Sequence, residues 1–298
     1  MRLSIPASAS AKSKSRAGRS AWALTLEQFL RRPLALVGLG MLLVLILAAV
    51  FAPYIAPYDP IRRNFAERFV PPSAAHWLGT DALGRDVFTR ILYGGRVTLY
   101  IGLLSVLLSM LIGVPIGLVA GYFGKLIDAT LMRMLDLILA FPGLIFAIWL
   151  VSMLGPGVSQ VIIANAVFSL PIFARLVRGN VMSVRHSDYV MAAYGLGMSH
   201  GRILFRHILP NVLPTIIVLA SLNISSAMLT GAGLSYLGLG AQPPTPEWGA
   251  MLADGRPYLR DAWWVSLFPG LVLTLVVLAS NIVGDTLRDA LDPRSLRK

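Results

Sequence analysis

The sequence predicts an all-α polytopic membrane protein with six membrane-spanning helices, and three observations carry that prediction. Long stretches without one Asp, Glu, Lys or Arg recur through its 298 residues. Only 13% of the residues are charged, against about one quarter in a soluble domain. The basic residues, moreover, gather on alternate connections between the apolar stretches.

Each span follows from length and punctuation. Leu34–Ala52 is 19 residues without a charge, closed by Pro53 and Pro57. That suffices for about 30 Å of hydrocarbon; the stretch starts too late, and lacks the small-x-small site, of a cleaved leader. Val97–Gly124 supplies 28 uncharged residues and a second span. Leu137–Ala174, at 38 residues, is too long for one helix. Gly155-Pro156-Gly157 divides it into a third and a fourth, and without that hairpin the total falls to five. Val212–Tyr236 gives the fifth and Ala262–Gly284 the sixth. Pro115, Pro142, Pro171 and Pro269 fall inside spans, where neighbouring helices re-satisfy the freed carbonyls.

Orientation follows from counting Lys and Arg. The tail to Pro33, the 125–136 loop, the 175–211 loop and the residues after Gly284 together hold 18 basic and seven acidic residues. Residues 53–96 and 238–261 hold eight and seven. The first set, both termini included, is expected in the cytoplasm. Within it, Met1–Arg19 reads either as a disordered, lipid-attracted tail or as a plain positive-inside determinant. The chain therefore divides into a basic tail (1–33), a first span with an outer segment (34–96), and a five-span core (97–298) that contains a cytoplasmic loop, 179–211.

Several chemistries are excluded. No cysteine is present, so thiolate catalysis and disulfides are not available. The four histidines (76, 186, 200, 207) form no ligand set, and no metal site is expected. GYFGK (Gly121–Lys125) has the wrong spacing for a phosphate loop and no Ser or Thr after its lysine. No charge stands in the middle of a span, where ion-coupled pumps carry them. No catalytic residues are expected, and the net charge of +12 is read through topology, with lipid and not nucleic acid as the partner.

Three features carry mechanism. Ser109, Gly113, Gly117 and Gly121 recur every four residues, a spacing that lets helix backbones approach closely, either at a dimer seam with a hinge at Pro115 or within the chain. Asn223, Ser226 and Thr230 put amide and hydroxyl groups on one face of the fifth span, suited to a wetted passage or to helix–helix hydrogen bonds. The third is DYVMAAYGLGMSHGRILFRHILPN (Asp188–Asn211). Ser187 is placed to cap a helix at Asp188, whose charge suits the positive dipole end. Gly197 is a natural stop. Ser199 opens a second helix that should break by Pro210. Tyr189, Ala192, Ala193 and Leu196 are expected on one face, a shallow surface with two anchors that would fit a partner's groove.

At these residues the chain resembles the inner-membrane permease of a bacterial ABC importer. Met191-Ala192-Ala193, three residues, Gly197, nine residues and His207-Ile208-Leu209-Pro210 keep the spacing of that family's cytoplasmic loop, with Met191 in place of its Glu and His207 in place of its Ile. HWLGTDALGRDVFTRILYGGR (His76–Arg96), AFPGL (Ala140–Leu144), RLVRGN (Arg175–Asn180), RHILPN (Arg206–Asn211), LSYLGLGAQPPTPEWGAML (Leu234–Leu252) and GDTLRDALDPR (Gly284–Arg294) are similar to the C-type permeases of dipeptide, oligopeptide and nickel importers. The resemblance implies the type I importer architecture and a heterodimer with a B-type permease. It also implies two cytoplasmic ATPases, which use ATP and Mg and grip Asp188, Tyr189, Ala192, Ala193, Leu196, Gly197 and Pro210, and a periplasmic solute-binding protein. It implies no cofactor on this chain and, as cargo, dipeptides, oligopeptides or glutathione; nickel or a nickel chelate is the alternative. A stand-alone secondary transporter and a membrane scaffold without transport are the rivals from other classes.

Two outer segments complete the reading. Asp86–Tyr93 is expected as a short amphipathic helix in the interface, with Val87, Ile91 and Phe88 toward lipid and Arg85, Asp86 and Arg90 toward water. QPPTPEW (Gln242–Trp248) is expected as a rigid loop, with Glu247, Trp248, Trp263 and Trp264 at headgroup level. Either segment could receive the binding protein.

Overall fold

The computed structural model describes Glu27 and residues 29–291. The readings made above for Met1–Arg19 and for residues beyond 291 lie outside them. The described residues are helical apart from turns and one isolated bridge, Thr80 to Asp86. Among the described residues, five helices are long and apolar enough to cross a membrane, and the total is six if one pair joined through a sharp bend counts as a single span.

Helix α1 (Pro33–Val50) begins with proline at its first position, where no amide donor is needed. A short α2 (Ala52–Ile55) leads into the segment 56–86, which caps one end of the bundle. Helix α3 (Val87–Phe123) then runs unbroken for 37 residues, about 55 Å, with Pro115 inside it. This corrects the interfacial helix expected at Asp86–Tyr93: those residues are the cap and first turns of α3. Arg85, Asp86 and Arg90 are buried, not turned to water, and Val87 and Ile91 face the core, not lipid. The burial is tolerated because each charge is met. Asp86 accepts from Thr89 N at 2.8 Å and pairs with His76 Nδ1 at 2.9 Å. Arg85 Nε donates to Asp81 at 2.6 Å, and Arg90 donates to the Pro60 carbonyl at 3.1 Å.

The expected loop 125–136 is instead helix α4 (Lys125–Leu139), joined to α5 (Gly143–Leu154) through an 87° bend. Pro142 lacks an amide hydrogen and disfavours helical geometry at Phe141, so the third span is broken there. Gly155-Pro156-Gly157 makes the expected turn, and Gly157 N donates to Leu239 O at 3.0 Å. Helix α6 (Val158–Val184) carries Arg175 and Arg178 on its last turns and packs along α3 in the most extensive helix pair of the fold.

Helices α7 (Asp188–Gly195) and α8 (His200–Ile203) form a hairpin at the end opposite the cap. Helix α8 does not break at Pro210. It passes through a π-helical turn, Leu204–Ile208, into α9 (Leu209–Tyr236). A wider turn of this kind relieves the clash that a proline ring makes with the preceding turn of a regular helix. At the cap end, α10 (Trp248–Gly255) lies inside the fold, and α11 (Trp264–Leu291) returns across the bundle. Glu247, Trp248 and Trp264 are therefore core residues, and only Trp263 of the expected headgroup set is exposed. Trp248 Nε1 donates to Ile91 O at 2.9 Å and Trp264 Nε1 to Thr80 O at 3.1 Å. Indole donors satisfied in this way can be buried at no polar cost.

Candidate functional site

The hairpin α7–α8 is a rigid tip on a buried base. Val190 and Ala193 of α7 and Ile203 of α8 are buried against Val177, Val181 and Val212. Helix α7 stops in a Schellman arrangement: Met198 N donates to Ala193 O at 3.2 Å and Gly197 N to Tyr194 O at 2.9 Å, with Gly197 at φ +75°. Ser187 does not cap α7 with its side chain. Its hydroxyl donates back to Val184 O at 2.6 Å, so the first turn relies on Asp188 alone for dipole complementarity.

The surface presented differs from the one the spacing suggested. Ala193 turns inward, while Tyr189, Met191, Ala192, Tyr194 and Leu196 remain outside, joined by Phe205 from the π turn. Leu196 is 79% exposed and Phe205 68%. Side chains this apolar and this exposed, carried by α7, its C-cap Leu196 and the π turn, form an exposed apolar patch of the kind that marks interaction surfaces. Asp188, Arg202 and Arg206 are exposed on the same segment and add charge to it, and Pro210, also exposed, stands in the first turn of α9.

Residues outside the predicted set hold the tip to the spans. Arg185 donates to the carbonyls of Gly121 and Tyr122 at 3.0 and 3.2 Å, satisfying the last turn of α3. Tyr122 Oη meets His200 Nδ1 at 2.8 Å, which ties α3 to α8. Arg178 grips Asp128 with two parallel hydrogen bonds, Nη2 to Oδ2 at 2.6 Å, and Arg175 reaches Asp136 at 2.5 Å. These pairs clamp α4 to α6. Excess positive charge was legible in the sequence, but its partners were not, because Asp128 and Asp136 lay in what read as a loop.

The small-residue stripe lies on the α6 side of α3. Ser109 Oγ donates to Ala166 O at 3.1 Å. A Cβ on Gly113 would stand 2.8 Å from the Leu170 carbonyl oxygen, on Gly117 2.5 Å from that of Ala174, and on Gly121 2.8 Å from that of Arg178. The stripe therefore seats α6 of the same chain.

On α9, Asn223 is half-buried and returns its amide to Leu219 O at 2.9 Å, Ser226 is exposed and Thr230 is half-buried. The polar contact across helices comes from Asn165, which donates to Ala227 O at 3.0 Å and was not anticipated from the sequence. At the cap end, a cavity of about 500 Å³ between the 81–90 segment and α10 is lined by Arg63, Arg85, Arg90, Asp81, Asp254 and Gln242.

The described residues thus form a bundle of apolar helices with an exposed tip at one end and a charged cavity at the other. Residues 113–297 match the binding-protein-dependent transport system inner membrane component family, and residues 20–72 match the N-terminal transmembrane domain of oligopeptide transport permease C. The chain belongs to the former family, as a multi-pass protein of the inner membrane. It is 47% identical to the dipeptide transport system permease protein DppC of Alkalihalophilus pseudofirmus, over 92% of this chain and 90% of that one. It is 46% identical to the glutathione transport system permease protein GsiD of Pectobacterium atrosepticum, over 93% and 92%. It is 45% identical to the di/tripeptide transport system permease protein DppC of Pseudomonas aeruginosa, over 90% of each. Inward-facing structures of the MetNI methionine ABC transporter share its fold, with TM-score 0.56 at 18% identity, over 67% of this chain and 96% of that one. None of these relatives is named for nickel, and the nickel alternative gains no support.

Proposed function

We propose that this chain is one of two permease subunits of an ATP-driven importer that carries short peptides, glutathione among them, across the bacterial inner membrane. The observation that carries the reading is the α7 tip, with apolar side chains outside, Val190 and Ala193 locked inside, and clamps to α3 and α6. Such a tip can transmit a partner's motion to the spans without deforming, because its base is close-packed.

Two ATPase subunits engage Tyr189, Ala192 and Leu196; they bind ATP and Mg, and this chain binds neither. Asp188 steers a basic rim, and Gly197 sets the angle between the two short helices. Both termini and the tip face the cytoplasm, in keeping with the distribution of Lys and Arg. A homologous B-type permease completes the pathway, and Asn223, Ser226 and Thr230 of α9 line it. A periplasmic solute-binding protein delivers cargo to the cap. Peptide cargo is supported by the names of relatives that match along nearly the whole chain.

The test is uptake of a labelled dipeptide into vesicles containing the assembled transporter. The account predicts uptake that needs both ATP and the binding protein, and that falls when Asn223 or Thr230 is replaced by leucine. Uptake without ATP would return the stand-alone transporter to first place.

A further inference from the structure

Between α1, α3, α9 and α11 lies an apolar groove of about 480 Å³, in the range of ~300–1,000 Å³ typical of ligand sites. Its walls are aliphatic, with Leu42 and Ile46 from α1, Leu99 and Leu103 from α3 and Met228 from α9. Its rim holds a charge, Arg96, beside Val50. We propose that the groove seats one acyl chain of a phospholipid from the leaflet at the cap end, with the lipid phosphate held by Arg96.

The depth of the groove matches one leaflet. Helix α1 is just long enough to cross the hydrocarbon, so its last residue, Val50, marks the boundary at the cap end. Arg96 lines the groove next to that residue and stands at headgroup level. At the deep end, Leu42 lies eight residues before Val50, about 12 Å along the axis of α1, near the middle of the bilayer.

The rim has a charge to offer. Among the described residues no carboxylate pairs with Arg96, whose guanidinium meets only the Tyr93 ring, 6.0 Å from its centroid. Arg85 and Arg90 at this end bond Asp81 and Pro60, and Arg68 and Arg256, which like Arg96 stand over aromatic rings, do not line the groove. An exposed, unpaired guanidinium at the hydrocarbon boundary is a phosphate seat in search of a phosphate. The groove also avoids the passage. Ser221, Ile224 and Met228 lie about 200° around α9 from Asn223, Ser226 and Thr230. A lipid there would brace α1 against the core without entering the pathway.

The test uses the assembled transporter, delipidated in mild detergent and titrated by native mass spectrometry with phosphatidylglycerol and with diacylglycerol of the same chains. Wild type should retain phosphatidylglycerol about tenfold over diacylglycerol, the equivalent of one charge-assisted hydrogen bond. Arg96→Glu should bring the two lipids level. Leu103→Trp, which fills the mouth from an exposed position, should lower retention of both. Equal retention of both lipids by wild type, or no change in either variant, overturns the proposal. So does a cross-link from Leu103→Cys to the second permease in this cysteine-free chain, since the groove would then hold a partner helix.

Discussion

Thr98 Oγ1 donates a 2.8 Å hydrogen bond to Glu247 Oε1 across 149 residues of sequence. Glu247 is fully buried, and its second oxygen caps α10 at Ala250 N, 2.9 Å away. One carboxylate thus joins the early part of α3 to the helix under the cap. Replacing Glu247 with alanine removes a cap and strands the Thr98 donor, at a cost of roughly 2–4 kcal/mol. Glu247→Gln keeps one oxygen to accept from Ala250 N and turns its NH2 to Thr98 Oγ1, which can accept in place of donating, so it should lose about half of that. Thermal unfolding of the purified protein in detergent, read by loss of monodispersity, checks the order wild type, Gln, Ala.

The α3–α6 seam predicts a contrast between glycines. At Gly117 any side chain meets the Ala174 carbonyl and Val177, so Gly117→Leu should destabilise by about 3 kcal/mol or more. At Gly40, on the exposed face of α1, nothing lies within 4 Å, and Gly40→Ala should be neutral or stabilising by up to about 1 kcal/mol. The same unfolding measurement separates the two. Equal losses would mean that the seam is not as close as described.

Neighbouring alanines on α7 predict opposite outcomes. Ala193→Arg puts an unpaired charge into a site only 4% exposed and should cost about 3 kcal/mol or more. Ala192→Arg adds the same charge to the surface and should leave the stability within about 0.5 kcal/mol of wild type. Only the second variant can report on partner binding without confusing it with folding.

The clamp between α4 and α6 predicts charge rescue. Asp128→Ala should destabilise by about 1 kcal/mol, since Arg178 and Asp128 are partly screened by solvent. The exchanged pair, Asp128→Arg with Arg178→Asp, should recover part of the loss, and high salt should narrow the difference. Equal melting of the Ala variant and wild type at low salt would assign the clamp no weight.

The legible parts of this fold were those written locally. Uncharged length announced the spans, Gly155-Pro156-Gly157 the turn, and Gly197 the end of α7. The sequence misled wherever a distant partner changed a residue's meaning. Arg85, Asp86 and Arg90 looked solvated because Asp81, His76, Pro60 and Asp254 cannot be placed beside them from spacing alone. Trp248 and Trp264 looked interfacial because their carbonyl acceptors lie 157 and 184 residues away. Pro210 predicts a break because a π turn leaves no compositional mark. Ala193 and Ala192 look alike in the sequence, and only packing against α6 and α9 shows that Ala193 is the one that turns inward.

If partner ATPases engage the α7 tip, copurification must show it. The tagged chain is isolated in mild detergent as wild type and as Ala192→Arg. The account predicts that two ATPases and a second permease accompany wild type, and that the ATPases alone are lost from the variant. Wild type isolated by itself or as a homodimer, or a variant that keeps its ATPases in full, would contradict it.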